Sequence, residues 1–296
     1  PPTPALSELS ISGRRLAHRH RSLPENLAGL VFQPGVPDVR EFPRAAWARL
    51  ATRRFKLLAD GVDGYAHSGG FGPLRESLAA YLSASRGVRC GAHQILVTTT
   101  AQAALDLATR MLTDPGDGAW TEQPGYVGAR ASFEAHGLSV HAVDVDIDGA
   151  VVDQLKVEHK VGYVTPSHQF PTGRTLSLER RLALLEWARA ANGWIFEDDY
   201  DSEFRYANRP VGAVQGLEPG GRVIYVGSFS KTLFPGLRVA YLVVPDGLAQ
   251  DFRQALRQTG QEPPLAIQAA LHDFIELGHF ARHVRRMRGI YAGRRA

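Results

Sequence analysis

From about residue 92, short runs of apolar, β-branched and aromatic residues alternate with longer stretches whose apolar positions recur at helical spacing. The short runs are QILVTT (94–99), GAWTE (118–122), SVHAVDV (139–145), VGYVTP (161–166), WIFEDDY (194–200), RVIYVGS (222–228) and VAYLVVP (239–245). Each reads as a strand of a sheet with few edges open to water. AQAALDLATRML (101–112) and SLERRLALLEWARAA (177–191) are the clearest helices, and their apolar stripes nominate them to cover that sheet. Strand and helix in alternation predict an α/β fold with a mostly parallel sheet of seven strands flanked by helices.

The ends differ from this rhythm. Residues 1–24 combine early prolines with a basic run, GRRLAHRHR (13–21), and read as a linker or N-terminal tail. Residues 25–270 then hold the large domain. The last stretch, 271–296, is helical in period, carries RHVRRMRGIYAGRRA (282–296) and stops without a capping signal, as expected of a helix leading into a C-terminal small domain that is not here.

Composition narrows the class. A chain of 296 residues with 44% hydrophobic and 22% charged positions has enough apolar surface for a large core, and the single Cys90 excludes a disulfide framework. No apolar run is long enough to span a bilayer, and the start lacks a signal-peptide pattern, so a bacterial cytoplasmic setting is expected. The net charge of +4 is modest and its basic excess lies near the two ends.

Several inexpensive motifs fail. Ser228-Phe-Ser-Lys231 has the spacing of a serine-lysine nucleophile, yet Pro235-Gly236 follows within a turn or so and no companion motif exists. Lys231-Thr232 lacks the glycines of a P-loop. DVDIDG (144–149) imitates a calcium loop but has Leu155 where the bidentate Glu belongs, so it reads as a strand end and turn. His18 and His20 sit in the basic tail, and no metal-ligand spacing is present.

SFSKTLFPGLR (228–238) remains, with Lys231 at the mouth of a core strand. A lysine there is costly to bury, and its surroundings favour the neutral, nucleophilic amine. Pyridoxal phosphate needs such an amine for a Schiff base, an anion for its ring nitrogen, a phosphate cup, a platform for the ring and a donor to the ring oxygen. Strand alternation in WIFEDDYDSEFRY places Asp198 and Tyr200 on one face and Glu197 and Asp199 on the other. VTTTAQAALDL passes from a strand into a helix start, where backbone N–H groups can hold a phosphate; a simple N-cap is the plainer alternative. Ser228 and Arg238 can complete the cup. Tyr126 in EQPGYVGAR is a candidate ring platform, although ordinary packing would also account for it.

With these residues on one α/β pattern, the sequence resembles fold-type I pyridoxal-phosphate proteins of the aspartate aminotransferase superfamily. Within them it resembles the effector-binding domain of MocR/GabR-type transcription regulators. The resemblance runs from about residue 30 onward through VFQPGVPDVREFPRAAWARL (31–50), GPLRESLAAYL (72–82), PGYVGAR (124–130), TPSHQFPTG (165–173), EDDYDSEFRY (197–206) and SFSKTLFPGLR. It implies an internal aldimine on Lys231, Asp198 on the pyridine nitrogen, Tyr200 on the ring oxygen and Tyr126 stacked on the ring. It further implies a phosphate held by Thr100, Ala101, Gln102, Ser228 and Arg238, with Tyr65 reaching in from the second subunit of a homodimer. Phe170 stands where many aminotransferases have Asn, Thr99-Thr100-Ala101 replaces a glycine-containing turn, and Gly70-Phe71 replaces Gly-Tyr.

Two functions follow from the resemblance. In one, the chain senses a small amine, an amino acid or the cofactor itself for a regulator that binds DNA through an N-terminal winged-helix domain lying before residue 1. In the other it is a free-standing aminotransferase acting on an amino acid and a 2-oxo acid. A chain that binds no cofactor is a third reading, and the substrate-carboxylate arginine of the family would lie beyond residue 296.

Overall fold

The computed structural model describes residues 9–17, 35–59, 68–206, 212–218 and 221–295, and all seven apolar runs are strands in it. In chain order the elements are α1 (Ile11–Ala17), α2 (Arg44–Ala59), α3 (Gly72–Arg86), β1 (Ile95–Thr98), α4 (Ala101–Leu112), β2 (Gly118–Gln123), α5 (Val127–Ala135), β3 (Ser139–Asp146), β4 (Gly149–Ala150) and β5 (His159–Val164). They continue with α6 (Leu178–Ala190), β6 (Trp194–Asp199), α7 (Val214–Leu217), β7 (Val223–Ser228), β8 (Ala240–Val243), α8 (Ala249–Thr259), α9 (Leu265–Glu276) and α10 (His279–Arg295).

The strands form one eight-stranded sheet in the order β1-β8-β7-β6-β5-β2-β3-β4. Pairings from β3 through β2, β5 and β6 to β7 are parallel, whereas β8 runs antiparallel to both β7 and β1. The eighth strand, absent from the sequence reading, is the two-residue β4, which pairs antiparallel with the end of β3. Two residues are too few to show a period. The turn at Ile147 and Asp148 that joins them is the DVDIDG segment, a strand end and turn as expected.

Neighbouring residues of β6 show how the pleat divides the core. Ile195 packs with Trp120, Leu184, Leu185, Trp187 and Val223 beneath α6, while Phe196 packs with Leu105, Ala108, Phe133, Val226 and Phe252 beneath α4, α5 and α8. Thr100 and Ser177 start α4 and α6 as N-caps, accepting the Ala103 N–H at 3.0 Å and the Arg180 N–H at 3.3 Å. A third apolar cluster joins α3 to the C-terminal helices through Leu74, Leu78, Leu271, Phe274, Phe280 and Val284. A boundary between residues 270 and 271 falls inside α9, and α9 and α10 share a core with α3. Arg54 of α2 clasps Asp273 of α9 through two nitrogens, tying the N-terminal segment to the same layer. Within the expected tail, residues 11–17 form α1, whose side chains are not buried.

Candidate cofactor site

Parallel strands β5, β6 and β7 deliver their C-terminal ends to one edge of the sheet, where loops replace hydrogen-bonded backbone and side chains can converge. Lys231 follows β7 by three residues. It is half-buried, its Nζ donates to the Gly35 carbonyl at 2.6 Å, and desolvation lowers its amine below the ordinary lysine range, opposed by the charges of Asp201 and Asp198. Gly35 has φ +73°, and a Cβ there would lie 2.7 Å from Nζ. The left-handed backbone at this position favours glycine.

Asp198 lies near the end of β6 and is 6% exposed. Its Oδ2 accepts the Tyr163 hydroxyl at 2.6 Å, and its Oδ1 is buried with no hydrogen-bond partner among the described residues. Burial pushes its carboxyl up to about 7, with Asp199 and Asp201 adding to the shift and Tyr163 opposing it. A buried carboxylate oxygen left over in this way fits a ring nitrogen that shares a proton with it. Tyr163, which sequence reasoning missed, stacks on Phe196 at 5.8 Å and lies 5.9 Å from the Tyr126 ring. Nothing but alternation within VGYVTP could have flagged it.

Tyr126 is 36% exposed, and burial raises its phenol. Its hydroxyl donates to Gln102 Oε1 at 3.2 Å, and the Gln102 amide donates to the Gly128 carbonyl at 3.1 Å. A Cβ at Gly128 would fall 2.5 Å from the Tyr126 ring, so the glycine makes room for that ring. The Gln102 side chain thus bridges Tyr126 and Gly128. The amides of Ala101 and Gln102 precede the first intrahelical bond of α4 and are the donors a helix start leaves over. Thr100 keeps its capping role beside them.

Tyr200 falls just past β6, which ends at Asp199, so its direction is set by the exit bend and not by strand alternation. It lines a cavity of about 110 Å³ with Lys231, Gly35, Asp201, Phe204 and Tyr291. Its ring meets Phe170 edge-on at 6.4 Å, and Phe170 meets Tyr126 at 6.3 Å, which gives the residue standing in the usual Asn position a packing role. Ser228 Oγ donates to Ser230 Oγ at 3.0 Å and accepts the Ser230 N–H at 3.1 Å. Arg238 is exposed, with φ 54°, at the end of the Pro235–Leu237 turn. Tyr65 lies outside the described residues.

The other face of β6 carries different acids, as alternation requires. Asp199 accepts Arg86 Nε at 2.6 Å and the Tyr225 hydroxyl at 2.6 Å, and the nearby guanidinium and hydroxyl hold its carboxyl below the usual range despite burial. Glu197 accepts the amides of Val214 and Gln215 at 2.8 and 2.9 Å. Glu122, at the end of β2, accepts both the amide and the hydroxyl of Thr165, whose Oγ1 in turn accepts the Phe170 N–H at 3.0 Å. Burial pushes Glu122 up to about 7. A raised carboxyl favours the fold fully below the unfolded value near 4.3, and that stability is lost as pH rises through about 7. Glu122→Gln should therefore gain on the parent chain from pH 5 to pH 8, by up to about 3 kcal/mol in denaturant titrations at the two pH values.

The family described as aminotransferase class I and II matches residues 35–296. The chain belongs to this family. It is 45% identical over 289 residues to a probable rhizopine catabolism regulatory protein, MocR, of Rhizobium meliloti, which covers 97% of this chain and 58% of that one. It is 36% identical over 276 residues to an uncharacterised HTH-type transcriptional regulator, YhdI, of Bacillus subtilis, again spanning 92% of this chain and 58% of the relative. This family member thus spans about three-fifths of the regulators it matches. Among solved structures it superposes on the kynurenine aminotransferase of Pyrococcus horikoshii with TM-score 0.81 and 30% identity, covering 88% of this chain and 67% of that one. The fold is therefore that of fold-type I aminotransferases, and the family and its structural neighbours support pyridoxal 5′-phosphate as the cofactor.

Proposed function

We propose that this chain is the pyridoxal-phosphate-binding effector domain of a MocR/GabR-type transcription regulator. The observation that carries the reading is the regulator likeness along almost the whole chain, supported by a desolvated Lys231 amine and a buried Asp198 oxygen without a partner among the described residues. On this reading Lys231 is the covalent anchor, the free oxygen of Asp198 faces the ring nitrogen, and Tyr126 and Tyr200 flank the ring. The helix start at Thr100, Ala101 and Gln102 takes the phosphate with Ser228 and Arg238. When bound, the cofactor supplies an aldehyde carbon that captures amines and a ring that withdraws electrons.

The chain's own residues do the remaining work. Asp198 would hold a proton shared with the ring nitrogen, for which its carboxyl, raised to about 7 by burial, is suited. Phe170 packs edge-on between the Tyr126 and Tyr200 rings and holds their orientation. DNA would be bound by a separate domain of the longer protein, and a homodimer would bring Tyr65 of one copy to the phosphate of the other.

The test is to load purified protein with pyridoxal phosphate, add a panel of amines and amino acids, and follow the visible spectrum and keto-acid release. Spectral shifts with selected amines and no multiple turnover are expected. Sustained transamination would replace this reading by that of an aminotransferase, for which the same lysine and acid would serve.

A further inference from the structure

Two loops that the cofactor residues do not account for meet beside Lys231. His168, from the segment after β5, and Asp201, from the bend after β6, pair through Nδ1 and Oδ1 at 2.8 Å. Asp201 lines the same cavity as Lys231, Gly35 and Tyr200, and its side chain is 28% exposed.

The positions of these two residues are fixed from below. Ser167 accepts Arg86 at 2.6 Å, and Ser202 donates to Asp199 at 3.0 Å, so the residues next to His168 and Asp201 are both held by the buried Arg86–Asp199 pair. A carboxylate on a surface bend ordinarily moves freely and is screened by water. This one is tied on its side chain by a histidine and along its backbone by a buried ion pair.

Tyr200 and Asp201 from the exit of β6, Tyr291 from α10 and the Gly35 carbonyl share the cavity with the Lys231 amine, and the charge of Asp198 on β6 also acts on it. Asp201 and Asp198 are the negative ones. On the reading above, Asp198 serves the ring nitrogen, which leaves Asp201 as the acid that speaks to the amine.

We propose that Asp201 is a positioning residue for Lys231: its carboxylate, locked by His168, favours the ammonium form over the Gly35 carbonyl and so sets the pH at which the amine becomes a nucleophile. Burial works in the opposite direction, and the two together place the amine's charge change between that of a free lysine and that of a fully desolvated one. The inference rests on Lys231 being the reactive amine.

The test uses the cofactor-free chain. Lys231 is labelled with acetic anhydride across a pH series, and the modified peptide is quantified by mass spectrometry. Removing a fixed negative charge destabilises the ammonium, so Asp201→Asn should move the labelling midpoint down by about one pH unit. That is about tenfold more neutral amine at a given pH below the midpoint. Asp201→Glu keeps the charge and should keep the midpoint, an outcome that a purely structural role for this position would not give. Asp201→Ser, run in parallel, supplies a second neutral variant should the Asn protein fold poorly. An unchanged midpoint in a folded neutral variant overturns the proposal.

Borohydride trapping of pyridoxal phosphate in the parent chain is measured alongside. Loss of trapping at Lys231 removes the reading of the site, and with it the premise of this inference. Intact trapping with an unmoved midpoint removes the inference alone.

Discussion

Lys231→Ala is expected to abolish covalent retention of pyridoxal phosphate while leaving the fold in place. In the parent chain, borohydride treatment should fix the cofactor on the peptide containing Lys231; in the variant the adduct should fall to background. The amine makes one backbone contact, to Gly35 at 2.6 Å, and such a hydrogen bond contributes about 1 kcal/mol net. The thermal midpoint of the cofactor-free variant should therefore stay near that of the parent. Persistent trapping at position 231's neighbours, or a collapsed fold, would each contradict the site as built.

Adjacent acids on β6 should give opposite phenotypes. Asp198→Asn should cost no stability and weaken cofactor binding by about tenfold to a hundredfold, the scale of one charge-assisted hydrogen bond, read from equilibrium dialysis of pyridoxal phosphate. Asp199→Asn should instead cost stability, because Arg86, with 4% of its side chain exposed, would lose its carboxylate while remaining buried. Breaking a buried pair from one side costs about 3–5 kcal/mol, measurable in denaturant titrations. The pH dependence separates them further. Asp199 is depressed, so its stability is present above the unfolded value near 3.9 and lost as pH falls through its folded value; the deficit of Asp199→Asn should be flat from pH 5 to 8 and shrink in acid. Asp198 is raised to about 7, so the stability it gives the parent is lost as pH rises through that value, and Asp198→Asn should gain on the parent from pH 5 to 8. If Asp199→Asn lost the cofactor and Asp198→Asn lost stability, the register of β6 against its neighbours would have to be revised.

The strands were legible because buried parallel strands leave uninterrupted apolar runs, and α4 because its capping threonine and apolar stripe mark both ends. What could not be read was anything decided by approach across the sheet. Tyr163 reaches Asp198 from β5, and Arg86 reaches Asp199 from the end of α3. Neither partner has a local pattern that distinguishes it from ordinary packing. Tyr200 was named for its place in a motif, yet the alternation argument does not reach it, since the strand has already ended. Gly35 belonged to the quoted resemblance, but its contact with Lys231 links positions far apart in the chain and is visible only in three dimensions. The glycine at 35 and the acid at 201 enter the site through loops, where spacing rules have no hold.

The pairing of β1 with β8 bears on how the protein is made. As the chain leaves the ribosome, β3, β5, β6 and β7 can each add to a strand already synthesised, whereas β1 has β8 as its hydrogen-bonding neighbour, with Ile95 opposite Val243. The strand that leads into Thr100 and the α4 helix start must therefore wait, apolar edge exposed, until residue 243 has emerged. Nascent chains halted before that point hold Lys231 and Asp198 but lack the sheet edge proposed to seat the phosphate end. During translation the capacity to retain the cofactor should arise late and abruptly, making cofactor capture a report on completed synthesis of the sheet.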